Sequence, residues 1–130
     1  MKNAVLIFAV AIFCLNMSQC GQSALKGPDQ STPQGTLLMV FAAAQSGDYE
    51  SLRGLCDPTG KGDGDTKRYI CAAADAPEEF VQYFKNAKLN GEATIKDDQA
   101  AVPFLFGPNG QKKETMNMVK RDGKWYLSSF

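Results

Sequence analysis

The apolar and polar positions fall into four regimes along the chain. The first is an unbroken apolar run from Ala4 to Leu15, twelve residues preceded by Lys2 and followed by small and polar residues. A membrane-crossing helix takes roughly 20 apolar residues. The run therefore predicts a secretory leader, with a basic start, an apolar middle and a small or polar close, over residues 1–19. The second regime, residues 20–31, is rich in Gly, Ser, Gln and Pro with little apolar content. It reads as a flexible tether, long enough to hold a folded domain on the order of 20 Å from a membrane.

The third regime has helical periodicity. Leu37, Val40, Phe41 and Ala44 fall at i, i+3, i+4 and i+7, with Leu38 beside them. Thr32 is placed to cap this helix, Pro33 fits its first position, and Gly47 stops it. Asp48 can cap a second, short helix through Tyr49, Leu52 and Leu55. The polar, glycine-rich run DPTGKGDGDTKR, Asp57 to Arg68, predicts a surface loop. A third helix carries the stripe Phe80, Tyr83, Phe84 and Ala87, with Asp75 and Glu78 at capping-box spacing.

The fourth regime runs at the period of a strand. Ala93 and Ile95 close one strand before a turn at Asp97 and Asp98, and Ala100 to Gly107 makes a second. PNGQ supplies a loop, Thr115 to Lys120 a third strand, and Asp122 with Gly123 turns the chain into a fourth. The result is an α+β domain over residues 32–130, with N-terminal helices packed on a four-stranded antiparallel sheet.

The register of the last hairpin has two solutions. A two-residue turn puts Met116, Met118, Trp125 and Leu127 on one face, and Thr115, Asn117, Val119, Tyr126 and Phe130 on the other. A three-residue turn with a bulge pairs Val119 with Trp125 instead. The second strand is apolar on both faces, with Val102, Phe104 and Phe106 on one and Ala101, Pro103 and Leu105 on the other. Such a strand wants cover on both sides, so a homodimer through the outer face is an expectation, weakened by Pro103, which favours an edge or a bulge.

Cysteine placement sharpens the N-terminal picture. LNMSQC, ending at Cys20, resembles a bacterial lipobox, in which the cysteine becomes the lipidated first residue of the mature chain, although Met17 and Gln19 depart from the usual residues. Cleavage elsewhere between Cys20 and Ala24 would leave a soluble secreted or periplasmic protein. With Cys14 in the leader and Cys20 lipidated, Cys56 and Cys71 remain as an even pair in an oxidising compartment, the expected disulfide. The expected location is the bacterial cell envelope, with the membrane engaged through a lipid anchor.

Charge and residue types exclude more than they assign. Without Lys2 the chain has thirteen basic and fourteen acidic residues, a net charge of −1. It shows no basic stripe interleaved with aromatics, so nucleic acid is not an expected partner. There is no histidine. Two cysteines without histidine fall short of the four ligands of a structural zinc site. The spacing of Asp57, Thr59, Asp63 and Asp65 partly follows a calcium loop, but the glycine and the closing glutamate of that motif are misplaced. No metal and no cofactor are expected.

TPQGTLLMVFAAAQSGDY, Thr32 to Tyr49, and VKRDGKWYL, Val119 to Leu127, resemble the small exported members of the nuclear transport factor 2-like superfamily, in particular its lipoproteins built on a domain of unknown function. The resemblance runs from about Thr32 to Phe130. It implies helices packed into the concave side of a strongly curved sheet, a cone with a pocket. Phe41, Phe84, Phe104, Phe106, Met116 and Trp125 are the expected pocket lining, against the alternative that they are simply core.

Enzymes of that superfamily, such as ketosteroid isomerase, scytalone dehydratase and the polyketide cyclases, place Asp, His or Tyr inside the cone for proton transfer. The acidic residues here fall in loops, caps and turns, where solvent keeps a carboxylate ordinary. No serine has a base beside it. No catalytic residues are therefore assigned. The expected function is non-catalytic binding of a small apolar ligand or a partner protein; the alternative is an isomerase, dehydratase or cyclase with unrecognised acid-base residues.

Overall fold

The computed structural model describes residues 27–130, so the leader, Cys20 and most of the tether lie outside the described residues. Helix α1, Pro33–Ser46, begins where its sequence signals place it. The Thr32 hydroxyl accepts the Gly35 N–H, and Gly47, in the left-handed conformation with φ of 83°, returns its N–H to the Ala43 carbonyl. The chain is fastened just before the helix as well. Gln30, in the segment read as a tether, accepts the Trp125 N–H on its carbonyl and donates its side-chain amide to the Trp125 carbonyl.

The short second helix is a 3-10 turn, Glu50–Gly54. Beyond it the run expected to be loop throughout contains one helical turn, α2, Gly64–Thr66, capped by Asp63, whose carboxylate accepts the Thr66 N–H. α2 continues into a π-type turn, Lys67–Cys71. Cys56 and Cys71 form a disulfide with Cα atoms 6.1 Å apart. The bridge ties the two ends of the segment together.

Helix α3, Pro77–Phe84, starts two residues after Asp75 and without the expected capping box: its N-cap is Ala76, which offers no side-chain bond. The cause is Pro77. A proline drives the preceding residue out of the helical region, and Ala76 accordingly sits at φ −147°, ψ 69°. Asp75 is thereby one position too early to cap, and pairs with Arg53 at 3.0 Å instead.

The sheet is antiparallel and has five strands where four were expected: β1 Lys88–Leu89, β2 Thr94–Lys96, β3 Gln99–Phe106, β4 Lys112–Arg121 and β5 Lys124–Ser129. β4 lies between β3 and β5, while β1 and β2 share the other side of β3. The extra strand, two residues long, has too little sequence to show a period. Pro103 explains why β1 and β2 are separate. Its carbonyl accepts from Asn90, so its missing N–H faces the gap between them, where no ladder bond is required.

The hairpin adopts the two-residue turn. Asp122 and Gly123 have φ of 51° and 79°, as a type I′ turn requires, and Arg121 pairs with Lys124 and Met118 with Leu127. Met116, Met118, Trp125 and Leu127 consequently share the buried face of the sheet. Phe130 does not join Val119 and Tyr126 as expected. After Met118 pairs with Leu127, Asn117 pairs with Ser129, so Ser128 is an extra residue. Such a bulge inverts the alternation, and Phe130 turns inward onto Phe84, Phe104 and Phe106.

On the outer face Ala101, Pro103 and Leu105 are half-buried. No helix among the described residues is long and apolar enough to cross a membrane.

Candidate ligand-binding cleft

Aromatic side chains converge where α3 meets the ends of β3 and β5. Phe84 is the hub, with ring centroids 5.1 Å from Phe80, 5.6 Å from Phe106, 6.0 Å from Phe130 and 6.4 Å from Phe104. The i, i+4 spacing of Phe80 and Phe84 along α3 stacks the first pair, and the strand period puts Phe104 and Phe106 on the inner face together. Tyr83 packs against Phe106 with ring centroids 6.3 Å apart.

Above this cluster opens a cleft of about 190 Å³ lined by Asp65 and Tyr69 from the disulfide-bridged segment, Glu79, Phe80, Tyr83 and Phe84 from α3, Phe106 and Lys112 from β3 and β4, and Phe130. Its floor is apolar and its mouth is charged. Asp65 and Glu79 have no hydrogen-bond or ion-pair partner among the described residues. The Lys112 ammonium lies over the Phe106 ring at 5.2 Å, and the Arg68 guanidinium over Tyr69 at 5.0 Å. Such contacts arise because the face of an aromatic ring is electron-rich.

Of the six residues expected to line a pocket, Phe84 and Phe106 border this cleft. Phe41, Phe104, Met116 and Trp125 are buried in the core, at 4%, 0%, 0% and 4% exposure, and are not part of the lining, although Phe104 packs directly against Phe84, Phe106 and Phe130. Sequence reasoning missed Asp65, Tyr69, Glu79, Tyr83, Lys112 and Phe130 as a group. The α3 stripe carried a usable signal, because Glu79 and Tyr83 are i, i+4 neighbours beside Phe80 and Phe84. Nothing local announces Asp65, Lys112 or Phe130, which reach the cleft through the disulfide, a strand end and a bulge.

A second polar feature lies at the start of the bridged segment, at Asp57. Asp57, 5% exposed, accepts two bonds from Arg121, Nε to Oδ1 at 2.7 Å and an NH2 group to Oδ2 at 2.8 Å, and two more from the Thr59 N–H and hydroxyl. The fork from Arg121, and then the Thr59 bonds, hold the Asp57 carboxyl well below the usual carboxylate range, with burial acting in the other direction. This corrects the expectation that every carboxylate here is ordinary and solvated. The pair is structural in its geometry: the Asp57 N–H also donates to the Leu127 carbonyl, pinning the segment to β5. Among the described residues no group of three or more His, Cys, Asp or Glu is close enough to hold a metal ion.

Compared with models of known families and with curated protein sequences, the chain matches none. Among solved structures it is similar to the "Putative NTF2-like transpeptidase" of Campylobacter jejuni, with a TM-score of 0.50 and 18% identity over 76% of this chain and 98% of that one. At that identity the likeness concerns the fold alone. Among the described residues, three helices and an antiparallel five-stranded sheet in this order give the nuclear transport factor 2-like cone fold.

Proposed function

We propose that the protein is an exported, lipid-anchored binding module whose cone takes a small apolar ligand in the cleft over Phe84. The observation that carries this reading is the cleft: an aromatic floor of Phe80, Phe84, Phe106 and Phe130, opening on the surface. The name of the Campylobacter protein raises acyl transfer as a competing reading. That chemistry needs an activated nucleophile, and the lining offers no serine, threonine or cysteine, while Cys56 and Cys71 are bridged. Binding is the reading the residues support.

The anchor rests on the sequence of residues 1–20. Intact mass of the membrane fraction tests it: a mature chain starting at a lipidated Cys20 is expected, and a start elsewhere refutes it. Ligand binding is tested with benzyl alcohol as probe, titrated into the isotope-labelled mature protein and followed by NMR. Shifts are expected at Tyr69, Tyr83, Phe84 and Phe130, and Phe84→Ala should abolish them. Shifts confined to other parts of the molecule would overturn the reading.

A further inference from the structure

The charges at the mouth of the cleft specify more than an apolar ligand. Resting on the reading just given, we propose that the ligand is a small organic cation, an ammonium group carried on one ring or a short apolar chain. A volume of about 190 Å³ lies below the few hundred Å³ typical of drug-sized ligands and suits a body of that size.

The lining holds two carboxylates, Asp65 and Glu79, and one ammonium, Lys112, and so carries a net charge of −1. The carboxylates come from different elements, α2 and α3, so the pair exists only because the fold brings them to one opening. Neither is used in holding the domain together, since neither has an ion-pair or hydrogen-bond partner among the described residues. Glu79 is also half-buried, so the charge there lacks part of its water and gains more from a bound cation than a fully solvated carboxylate would.

The aromatic surfaces point the same way. Ring faces at this end already hold Lys112 over Phe106 and Arg68 over Tyr69. An ammonium entering beside Tyr83 and Phe130 would find the same electron-rich surface and, unlike Lys112, would meet it with carboxylates on its other side. An anion would meet Lys112 in the lining, with Arg68 over Tyr69 beside it, but would be opposed by the two carboxylates.

Three probes of similar size and different charge test this at low salt against the mature protein: phenethylammonium, hydrocinnamyl alcohol and hydrocinnamate, each followed by NMR shifts of the cleft residues. Phenethylammonium is expected to bind about 5-fold more tightly than the neutral alcohol, and the advantage should shrink as salt is raised. Glu79→Gln, with thermal unfolding checked, should remove most of that advantage. Lys112→Gln should tighten the ammonium, by removing a like charge and freeing the Phe106 face. Equal binding of the alcohol and the ammonium would overturn the cation and leave the apolar-ligand reading standing. Preference for hydrocinnamate, lost in Lys112→Gln, would overturn it in favour of an anion. Failure of all three probes to move any cleft resonance would overturn both readings.

Discussion

Asp57 and Arg121 show what a single pair can do when one partner is buried and the other is not. The Asp57 side chain is 2% exposed and that of Arg121 35%, so the carboxylate depends on its partner far more than the guanidinium does. Burying a carboxylate is costly unless it is paired and hydrogen-bonded, and here the fork from Arg121 and the two Thr59 bonds fill the need. A carboxyl held below its ordinary value of 3.8 stabilises the fold fully above that value. The contribution drains away as pH falls from there towards the folded-state value. The wild-type protein is therefore expected to lose stability on acidification below about pH 4, while Asp57→Asn, which cannot titrate, should show a flatter profile and a Tm at neutral pH lower by about 10 °C. Thermal unfolding between pH 2 and 7 checks both; parallel profiles for the two proteins would show that Asp57 does not titrate as described. The pair could not have been read from sequence, since 64 residues separate its members and no local spacing links them.

At the scale of elements, legibility followed how local the determining interaction is. Helix α1 was readable to the residue because Thr32, Pro33 and Gly47 act within their own turns. The hairpin was readable as a turn but not as a register, since its Ser128 bulge is set by pairing with β4. Helix α3 was misjudged at its cap because the constraint of Pro77 on Ala76 outweighs a favourable side chain at Asp75. α1 also carries a test of local against non-local effects at Gly35, in its first turn. By propensity alone Gly35→Ala should stabilise a helix by up to about 1 kcal/mol. An added Cβ, however, would run into the Asp29 carbonyl and lie 2.8 Å from the capping Thr32 hydroxyl. Because a backbone atom cannot step aside, the substitution is expected to destabilise, by about 1 to 3 kcal/mol as an overpacked site does. Thr32→Ala, which removes only the cap, should cost about 1 kcal/mol. Denaturant unfolding of the two variants decides the order; a Gly35→Ala protein more stable than wild type would mean that residues 29–32 yield freely.

For the whole molecule, the disulfide links stability to the cleft. The α+β layout was legible in the helical stripes followed by strand alternation, and the cone only through the resemblance carried by Thr32 to Tyr49 and Val119 to Leu127. The cleft was not, because its two walls meet only through long-range connections. One wall, Glu79 to Phe84 with Phe106 and Phe130, belongs to the aromatic core. The other, Asp65 and Tyr69, rides on the segment closed by Cys56 and Cys71, which are 15 residues apart. That segment is held unevenly. Its first part, together with Leu55 just before it, is bonded to β5, through the Asp57 N–H to Leu127, the Leu127 N–H to Leu55 and the Asp63 N–H to Ser128. Its second part, from Gly64 onward, is held by the bridge, by the burial of Thr66 and Ile70, and by local bonds to Asp63 and Gly60 rather than by direct bonds to the sheet. Replacing both cysteines by serine should cost roughly 3 kcal/mol in the chain-entropy picture of a loop this size. The loosening should fall on one side: hydrogen exchange is expected to speed up across residues 64–71, while residues 55–57 keep their protection and α3 exchanges as before. Phenethylammonium should then bind the double serine variant more weakly than the bridged protein, since Asp65 and Tyr69 are no longer held opposite Glu79. Uniform acceleration along the whole chain, or unchanged binding by the serine variant, would show that the bridge stabilises the domain without setting the geometry of the cleft.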